Sequence, residues 1–214
     1  MYKAILFDFD GTLADTLPVC FYSFQKVFLT YDKRELSDQE IMTMFGPSEV
    51  GIIQQNLSDQ ARMNEAIDDF YKYYEREHVR LANVNKDVDE LIQRIHGKGI
   101  LTGIVTGKAR RSYEISVKHL FPNDWFQVSI TGDDVENPKP HPEGILKAMK
   151  LLGVSSDETL FVGDSDADIE AGIKANVKTV GVNWLKHSHG SRFIHQPDYE
   201  YSSIPDFIRD FIGR

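Results

Sequence analysis

The amino-acid sequence predicts an α/β protein: a doubly wound parallel sheet with a Rossmann-like core and an inserted all-helical subdomain. Two patterns in the 214-residue chain lead to this prediction. Short apolar runs, typical of strands that are covered on both faces, alternate with segments of helical periodicity. One long region interrupts this alternation with helical patterns alone. Alternating strands and helices favour a parallel sheet, and the interruption indicates a separate helical unit.

The predicted strands and helices of the core follow one another along the chain. The apolar runs that predict strands are residues 4–7, 100–106, 127–131, 159–163 and 178–182. Helical periodicity covers residues 87–96, 109–120, 142–152, 167–175 and 204–212. Each helix therefore lies between two strands or follows the last one, as a doubly wound sheet requires.

Residues 15–84 form the predicted inserted subdomain, so the core comprises residues 1–14 and 85–214. Within the insertion, helical patterns cover residues 17–29, 38–45, 49–57 and 60–80. Gly46-Pro47 predicts a turn between two of these helices, and Asn83-Val84-Asn85 leads back into the sheet.

Composition and charge exclude several kinds of partner. Acidic residues outnumber basic ones 33 to 24, giving a net charge of -9, and no basic stripe appears, so we expect no nucleic-acid partner.

No run approaches the roughly 18 apolar residues of a membrane helix. The apolar run before Asp8 lacks a cleavage site, and the single cysteine, Cys20, cannot form an internal disulfide. We expect a cytoplasmic protein.

Two aspartates directly follow the first predicted strand, in the sequence Asp8-Phe9-Asp10-Gly11-Thr12-Leu13. Ligands of an open parallel sheet bind outside the carboxyl ends of its strands, so both carboxylates are expected in the binding crevice. Residues two apart in an extended chain face the same way, and Asp8 and Asp10 can therefore act on one group of substrate atoms. An Asp-Gly pair is also a common turn signal, so the motif alone leaves a structural role open.

A Thr-Gly-Lys sequence, residues 106–108, ends the second core strand. The Thr106 hydroxyl and the backbone N–H groups around Gly107 can bind phosphate oxygens at the N-terminus of the following helix. The alternative is an ordinary Thr-Gly loop between a strand and a helix.

Lys139 lies between two prolines, Pro138 and Pro140, which restrict the backbone around it. A fixed ammonium beside a carboxylate nucleophile offsets the repulsion between that carboxylate and a phosphate dianion. The alternative is a proline-rich turn with an incidental lysine.

Three acidic residues, Asp164, Asp166 and Asp168, follow the fourth core strand. Negative charge at a buried strand end requires a cation or hydrogen-bond donors, and oxygen ligands of this kind indicate Mg²⁺. Acidic residues also stabilise helix N-termini, and Asp166 in particular fits that role alone.

Taken in order, the four motifs resemble those of haloacid dehalogenase-like hydrolases, and the match spans nearly the whole chain. The resemblance implies an Mg²⁺-dependent phosphatase in which Asp8 is the nucleophile and becomes a transient aspartyl-phosphate. Asp10 would be the general acid and then the general base. Thr106 and Lys139 would bind the phosphate.

The same resemblance implies the metal ligands and a cap. Asp164, the Asp8 carboxylate and the Asp10 main-chain carbonyl would hold Mg²⁺, with Asp168 in an outer shell or acting through a water. Residues 15–84 would be the helical cap that closes over the site.

Within the superfamily, the chain most resembles phosphoglycolate phosphatases and bacterial pyrophosphatases. The supporting segments are Phe45-Gly46-Pro47-Ser48, Thr131-Gly132-Asp133-Asp134-Val135 and Gly181-Val182-Asn183-Trp184. The expected substrate is a small phosphorylated metabolite, such as phosphoglycolate, pyrophosphate, a sugar phosphate or a nucleotide. We expect cap residues Leu17, Cys20, Ser48 and Glu49 to govern selectivity.

Three alternatives follow from the same motifs. Related phosphosugar mutases carry a cap arginine where this chain has Ser48 and Glu49, and an acid there would repel the second phosphate of a mutase substrate. A phospho-accepting receiver domain would need neither the inserted helices nor Asp10. A non-catalytic protein that binds phosphorylated ligands would not need every catalytic position to be filled.

His187, His189 and His195 match no usual spacing of a metal site, and we expect them in an exposed loop.

Overall fold

The computed structural model describes residues 2–83, 85–121, 124–188 and 193–213; Val84 and His189, named above, lie outside these ranges. Within them, six parallel strands form one sheet in the order β3-β2-β1-β4-β5-β6. The strands are β1 (Ala4–Phe7), β2 (Leu101–Val105), β3 (Val128–Ile130), β4 (Thr159–Gly163), β5 (Lys178–Val182) and β6 (Tyr199–Tyr201). The predicted parallel sheet is thus confirmed.

The α-helices of the described ranges precede, follow and connect these strands. They are α1 (Leu17–Asp32), α2 (Asp38–Met42), α3 (Glu49–Asn56), α4 (Met63–Leu81), α5 (Lys86–Gly97), α6 (Arg110–Leu120), α7 (Glu143–Leu152), α8 (Asp166–Lys174) and α9 (Ile204–Phe207). No helix in this part of the chain combines the length and apolarity needed to cross a bilayer.

Two features at the C-terminal end differ from the prediction. Strand β6 was not predicted, because its three residues are partly or fully exposed and do not form an apolar run. Helix α9 ends at Phe207 and continues as a π-helical turn, Ile208–Ile212, where the periodicity predicted one helix over residues 204–212.

Alternate residues of the central strand β1 pack into two separate hydrophobic clusters. Ile5 and Phe7 belong to the cluster that includes side chains of α5, α6 and α9, whereas Leu6 packs with side chains of α7 and α8. The sheet is therefore covered on both faces, which explains the unbroken apolar runs of its strands. Phe7 pairs with Ile104 on one side and with Val162 on the other, so the carboxyl ends of three strands meet at one edge.

Helices α1 to α4, which we call the cap helices, have a hydrophobic core of their own. Its fully buried side chains include Phe24, Phe28, Ile53, Phe70 and Tyr74. Aromatic residues at helical spacing on α4 thus supply packing area within this core.

The cap helix α4 is joined to the core helix α6 by buried hydrogen bonds. Tyr74 Oη lies 2.8 Å from Ser116 Oγ, and His78 Nε2 lies 3.0 Å from the same hydroxyl. Burial lowers the pKa of His78 to about 4, and the neighbouring His119 and Lys108 act in the same direction. His78 is therefore neutral at pH 7, as its buried place between two helices requires.

We expect the free energy of unfolding to fall as the pH drops below 6.5. The folded-state pKa of His78 lies below the unfolded-state value, so its stabilising effect is present above about pH 6.5 and is lost as the pH falls toward 4. The loss from this residue is at most about 3 kcal/mol. Urea denaturation at pH 7 and pH 4.5 measures it in wild type and in His78→Gln, which keeps a hydrogen-bonding group near Ser116.

The wild-type protein should lose more stability between these pH values than His78→Gln does. His141→Gln, at an exposed position, should retain the wild-type pH dependence. Equal pH dependence in wild type and His78→Gln would contradict the assignment.

Candidate active site

A cavity of about 220 Å³ lies between the carboxyl edge of the sheet and the cap helices. The core residues that line it include Asp8, Asp10, Thr106, Gly107 and Lys139. The structure thus brings the predicted catalytic and phosphate-binding residues to one place. The volume is below the roughly 300 Å³ at which sites for drug-sized ligands begin, so the cavity suits a small molecule.

Asp8 is buried at the end of β1 and is paired with Lys139. Lys139 Nζ lies 2.7 Å from Asp8 Oδ1 and 2.5 Å from Asp168 Oδ1, so one ammonium contacts two carboxylates. Burial raises the pKa of Asp8 to about 7; Lys139 lowers this pKa, whereas Asp168 and Asp164 raise it. Asp8 therefore depends on nearby positive charge to act as an anion.

The turn after β1 positions Asp164 against the chain. Gly11 has a φ of +82°, and a Cβ at this position would lie 2.2 Å from Asp164 Oδ2. Thr12 Oγ1 donates a hydrogen bond to Asp164 Oδ1 at 3.1 Å, and Trp184 Nε1 donates one to the Thr12 carbonyl at 2.6 Å. Glycine alone accommodates both this conformation and this close approach.

The residues present fit an Mg²⁺ ion. Buried Asp8, Asp164 and Asp168 offer carboxylate oxygens that all lie within 4.8 Å of one another, and Lys139 contacts two of the three. One ammonium thus faces three carboxylates, and Mg²⁺ prefers such oxygen ligands. Asp168 Oδ2 already accepts hydrogen bonds from Ser165 N–H at 3.0 Å and from Ser165 Oγ at 2.5 Å. These contacts favour an outer-shell role for Asp168.

Asp166 anchors a neighbouring loop. Its Oδ1 accepts hydrogen bonds from the backbone N–H groups of Ile194 and His195 at 2.8 Å each, and its Oδ2 lies 2.7 Å from His195 Nδ1. His187 Nδ1 lies 2.8 Å from a different carboxylate, that of Asp15. Asp166 thus has the structural role that the sequence left open, and His187 and His195 have separate carboxylate partners.

The Asp10 side chain lies on the cavity wall, apart from the carboxylate cluster. Its Oδ1 accepts a hydrogen bond from Thr16 Oγ1 and lies 3.2 Å from Lys108 Nζ. These two contacts fix the carboxylate beside the space that a ligand would occupy. The family resemblance implies that the main-chain carbonyl of Asp10, and not its side chain, is a metal ligand. The carboxylate is therefore available for proton transfer.

Lys108 is a site residue that the sequence analysis did not single out. Its side chain is fully buried, and Nζ lies 3.2 Å from both Asp10 Oδ1 and Glu49 Oε1. Burial alone would lower the pKa of Lys108, but Asp10, Tyr74 and Glu49 hold this pKa well above its usual range. The sequence did contain an indication of this pairing. A lysine just before the N-terminus of a helix is disfavoured by the helix dipole, and a carboxylate partner offsets this effect.

Three of the four residues predicted to govern selectivity, Leu17, Cys20 and Glu49, line the cavity. Glu49 is buried and crosses from the cap to the core. Its Oε2 accepts a hydrogen bond from Ala109 N–H at 2.5 Å, and its Oε1 accepts one from Ser112 Oγ at 2.5 Å. The carboxylate thereby satisfies backbone and hydroxyl donors at the N-terminus of α6.

The fourth, Ser48, is not among the lining residues and instead lies against Gly132 of the core. A Cβ at Gly132 would come within 3.1 Å of Ser48 Cβ and within 2.5 Å of the Gly107 carbonyl oxygen. The cap is thus closed onto the core at Ser48 and Glu49.

Comparisons with known proteins agree with this geometry. A family model described as haloacid dehalogenase-like hydrolase matches residues 5–182. Pyrophosphatase PpaX of Bacillus cereus strain AH820 is 32% identical over 208 residues, covering 96% of this chain and 94% of the relative. Pyrophosphatase PpaX of Bacillus mycoides strain KBAB4 is 33% identical, covering 96% and 95%.

Solved structures share the fold. A predicted phosphoglycolate phosphatase from Haemophilus somnus 129PT superposes with a TM-score of 0.84 at 22% identity and covers 97% of both chains. CbbY from Rhodobacter sphaeroides, in complex with phosphate, superposes with a TM-score of 0.85 at 19% identity, covering 97% of this chain and 96% of its own. At these identities the similarity concerns the fold alone.

We expect Gly11→Ala to weaken Mg²⁺ binding by about tenfold or more, because the added Cβ would displace the Asp164 carboxylate. Isothermal titration calorimetry with MgCl₂ measures the affinity. Gly97→Ala is the matched control, since a Cβ at Gly97 would meet no atom within 4 Å. Equal Mg²⁺ affinity in Gly11→Ala and Gly97→Ala would show that Asp164 does not hold the ion.

Proposed function

We propose that this chain, which belongs to the haloacid dehalogenase-like hydrolase family, is an Mg²⁺-dependent phosphatase acting on a small phosphate monoester through an aspartyl-phosphate at Asp8. Family membership confirms the resemblance predicted from the motifs. The observation that carries the proposal is the contact of one ammonium, that of Lys139, with both Asp8 and Asp168 at a cavity of small-molecule size.

Asp8 is the nucleophile in this proposal. Its carboxylate attacks phosphorus, and the ester oxygen leaves while Lys139 offsets the negative charge of the phosphoryl group. Thr106 and Gly107 line the same cavity and offer a hydroxyl and a backbone N–H to the phosphoryl oxygens. Bound Mg²⁺, held by Asp8 and Asp164, would add positive charge at these oxygens.

Asp10 is the proposed general acid and base. It donates a proton to the leaving oxygen and later removes a proton from the water that attacks the aspartyl-phosphate. Thr16 and Lys108 contact its Oδ1, which supports a fixed position for both steps. The closed cap limits the access of bulk water to the cavity.

The cap side of the cavity favours hydrolysis over the mutase alternative. Among the described residues that line the cavity, the cap contributes no arginine or lysine, and its one charged residue is Glu49. A mutase must hold a second phosphate in this region. The cap and Asp10 likewise distinguish the chain from a receiver module.

The PpaX relatives make pyrophosphate one substrate to test, and phosphoglycolate is another. A small phosphorylated metabolite as the partner and a cytoplasmic location remain part of the proposal.

We expect the protein to release phosphate from small phosphate compounds with MgCl₂ and not with excess chelator. Asp8→Asn should lower the rate by at least about a thousandfold, because an amide is a poor nucleophile. Asp157→Asn, at an exposed position, should retain wild-type activity. Phosphate release by Asp8→Asn close to the wild-type rate would exclude the aspartyl-phosphate mechanism.

With acetyl phosphate, whose acetate leaves without a proton, Asp10→Asn should accumulate phosphoenzyme, because the amide cannot remove the proton from the attacking water. Acid quenching after incubation with a radiolabelled substrate measures the protein-bound phosphate. Wild type and Asp8→Asn should each retain little label, the first through turnover and the second through lack of attack. Rapid turnover by Asp10→Asn would contradict the acid and base role.

A further inference from the structure

The part of the cavity wall that the cap contributes is largely apolar. Its side chains include Leu17, Cys20 and Phe24 from α1, Ile52 from α3, and Phe45. A substrate with its phosphoryl group at Asp8 extends its leaving group toward these side chains. Atoms placed there lose their contact with water, which disfavours a charged group unless a counter-charge compensates it.

The cation nearest to this wall, Lys108, already has two carboxylate partners. Its Nζ is buried and lies 3.2 Å from Asp10 Oδ1 and 3.2 Å from Glu49 Oε1, and all three residues belong to the cavity wall. A carboxylate or phosphate on the leaving group would add another anion near this ammonium, whose charge Glu49 already compensates while Asp10 carries the proton of the general acid. Like charges at such distances repel strongly in a buried site.

The other lysine of the cavity wall also has two carboxylate partners. Among the described lining residues, Lys139 is the only further lysine or arginine, and it contacts Asp8 and Asp168. Its position at Asp8 assigns it to the transferred phosphoryl group. Among the described lining residues, every lysine is therefore already paired with carboxylates, and none is left to bind a second anionic group on the leaving-group side.

We propose that the leaving group of the preferred substrate is small, uncharged and largely apolar, so that a neutral phosphate monoester is hydrolysed in preference to phosphoglycolate or pyrophosphate. This inference rests on the proposed phosphatase function and narrows its substrate class. Glu49 is the specificity residue, because its carboxylate compensates the charge of Lys108, the lysine nearest to the leaving group.

The Lys108 ammonium is enclosed by protein and is not open to the cavity. Its side chain is fully buried, and Nζ makes no hydrogen bond to any described residue, although it forms the two ion pairs. An anionic leaving group in the cavity therefore cannot contact this ammonium directly, whereas an uncharged one needs no such contact.

The test compares kcat/KM for isosteric monoesters. Phosphoglycolate carries a carboxylate; 2-(phosphonooxy)acetamide and isobutyl phosphate replace it by a neutral amide and by an apolar group of the same size. We expect wild-type kcat/KM to be about tenfold or more higher for the acetamide ester than for phosphoglycolate. Pyrophosphate should be hydrolysed less efficiently than either neutral ester.

Glu49→Gln should reverse part of this preference, since it leaves Lys108 with one carboxylate partner. The ratio of kcat/KM for phosphoglycolate to that for isobutyl phosphate should rise about tenfold. Comparing this ratio between variants cancels the intrinsic reactivity of the esters. Phe45→Arg, at a half-buried lining position, adds a cation and should raise the ratio independently of Glu49.

Glu75→Gln, on an exposed position of the cap helix α4, is the matched control and should leave the ratio unchanged. Thermal melting establishes that each variant is folded. Wild-type preference for phosphoglycolate or pyrophosphate over the neutral esters would overturn the inference while supporting the phosphatase function. An unchanged ratio in both Glu49→Gln and Phe45→Arg would also overturn it.

Acetyl phosphate, a small activated compound, separates failure of the inference from failure of the proposed function. If neither acetyl phosphate nor any ester releases phosphate in the presence of MgCl₂, both proposals are wrong.

Discussion

Compensation of negative charge at the carboxyl edge of the sheet is the constraint on which the site depends. Parallel strands bring Asp8, Asp164 and Asp168 together in a buried place, where carboxylates repel one another and lose their hydration. Lys139 contacts two of the three, and the remaining charge is the reason that the cluster suits a divalent cation. The proposed nucleophile and the proposed metal site therefore depend on one electrostatic arrangement.

Charge compensation by a second lysine also connects the core to the cap. Lys108 belongs to the core and contacts Asp10, but its other carboxylate partner, Glu49, belongs to the cap. Glu49 also accepts hydrogen bonds at the start of α6. Movement of the cap away from the core would separate these pairs. Glu49 therefore links the position of the cap to the charge beside Asp10 and to the polarity of the cavity.

Much of the fold could be predicted because strands β1 to β5 are largely buried, and because Asp8, Thr106 and Asp164 directly follow strand ends. Strand β6 could not, since its Tyr199–Tyr201 segment is short and exposed and gains its place only by pairing with β5. The proximity of Asp8 and Lys139 was expected from the four motifs taken together and from the family resemblance. The pairing of Lys108 with Glu49 could not be predicted, because it depends on how the cap lies on the core, which residue spacing does not encode.

The central place of β1 in the sheet has a consequence for biosynthesis. This strand leaves the ribosome before the other five, yet Lys139 follows Asp8 by 131 residues, and Asp164 follows Thr12 by 152. The cap helices are complete long before either partner is made, and their hydrophobic core consists mainly of their own residues. A nascent chain thus acquires the cap helices before the buried cluster of Asp8, Lys139 and Asp164 is complete, and any chain that ends before Asp164 has the first without the second.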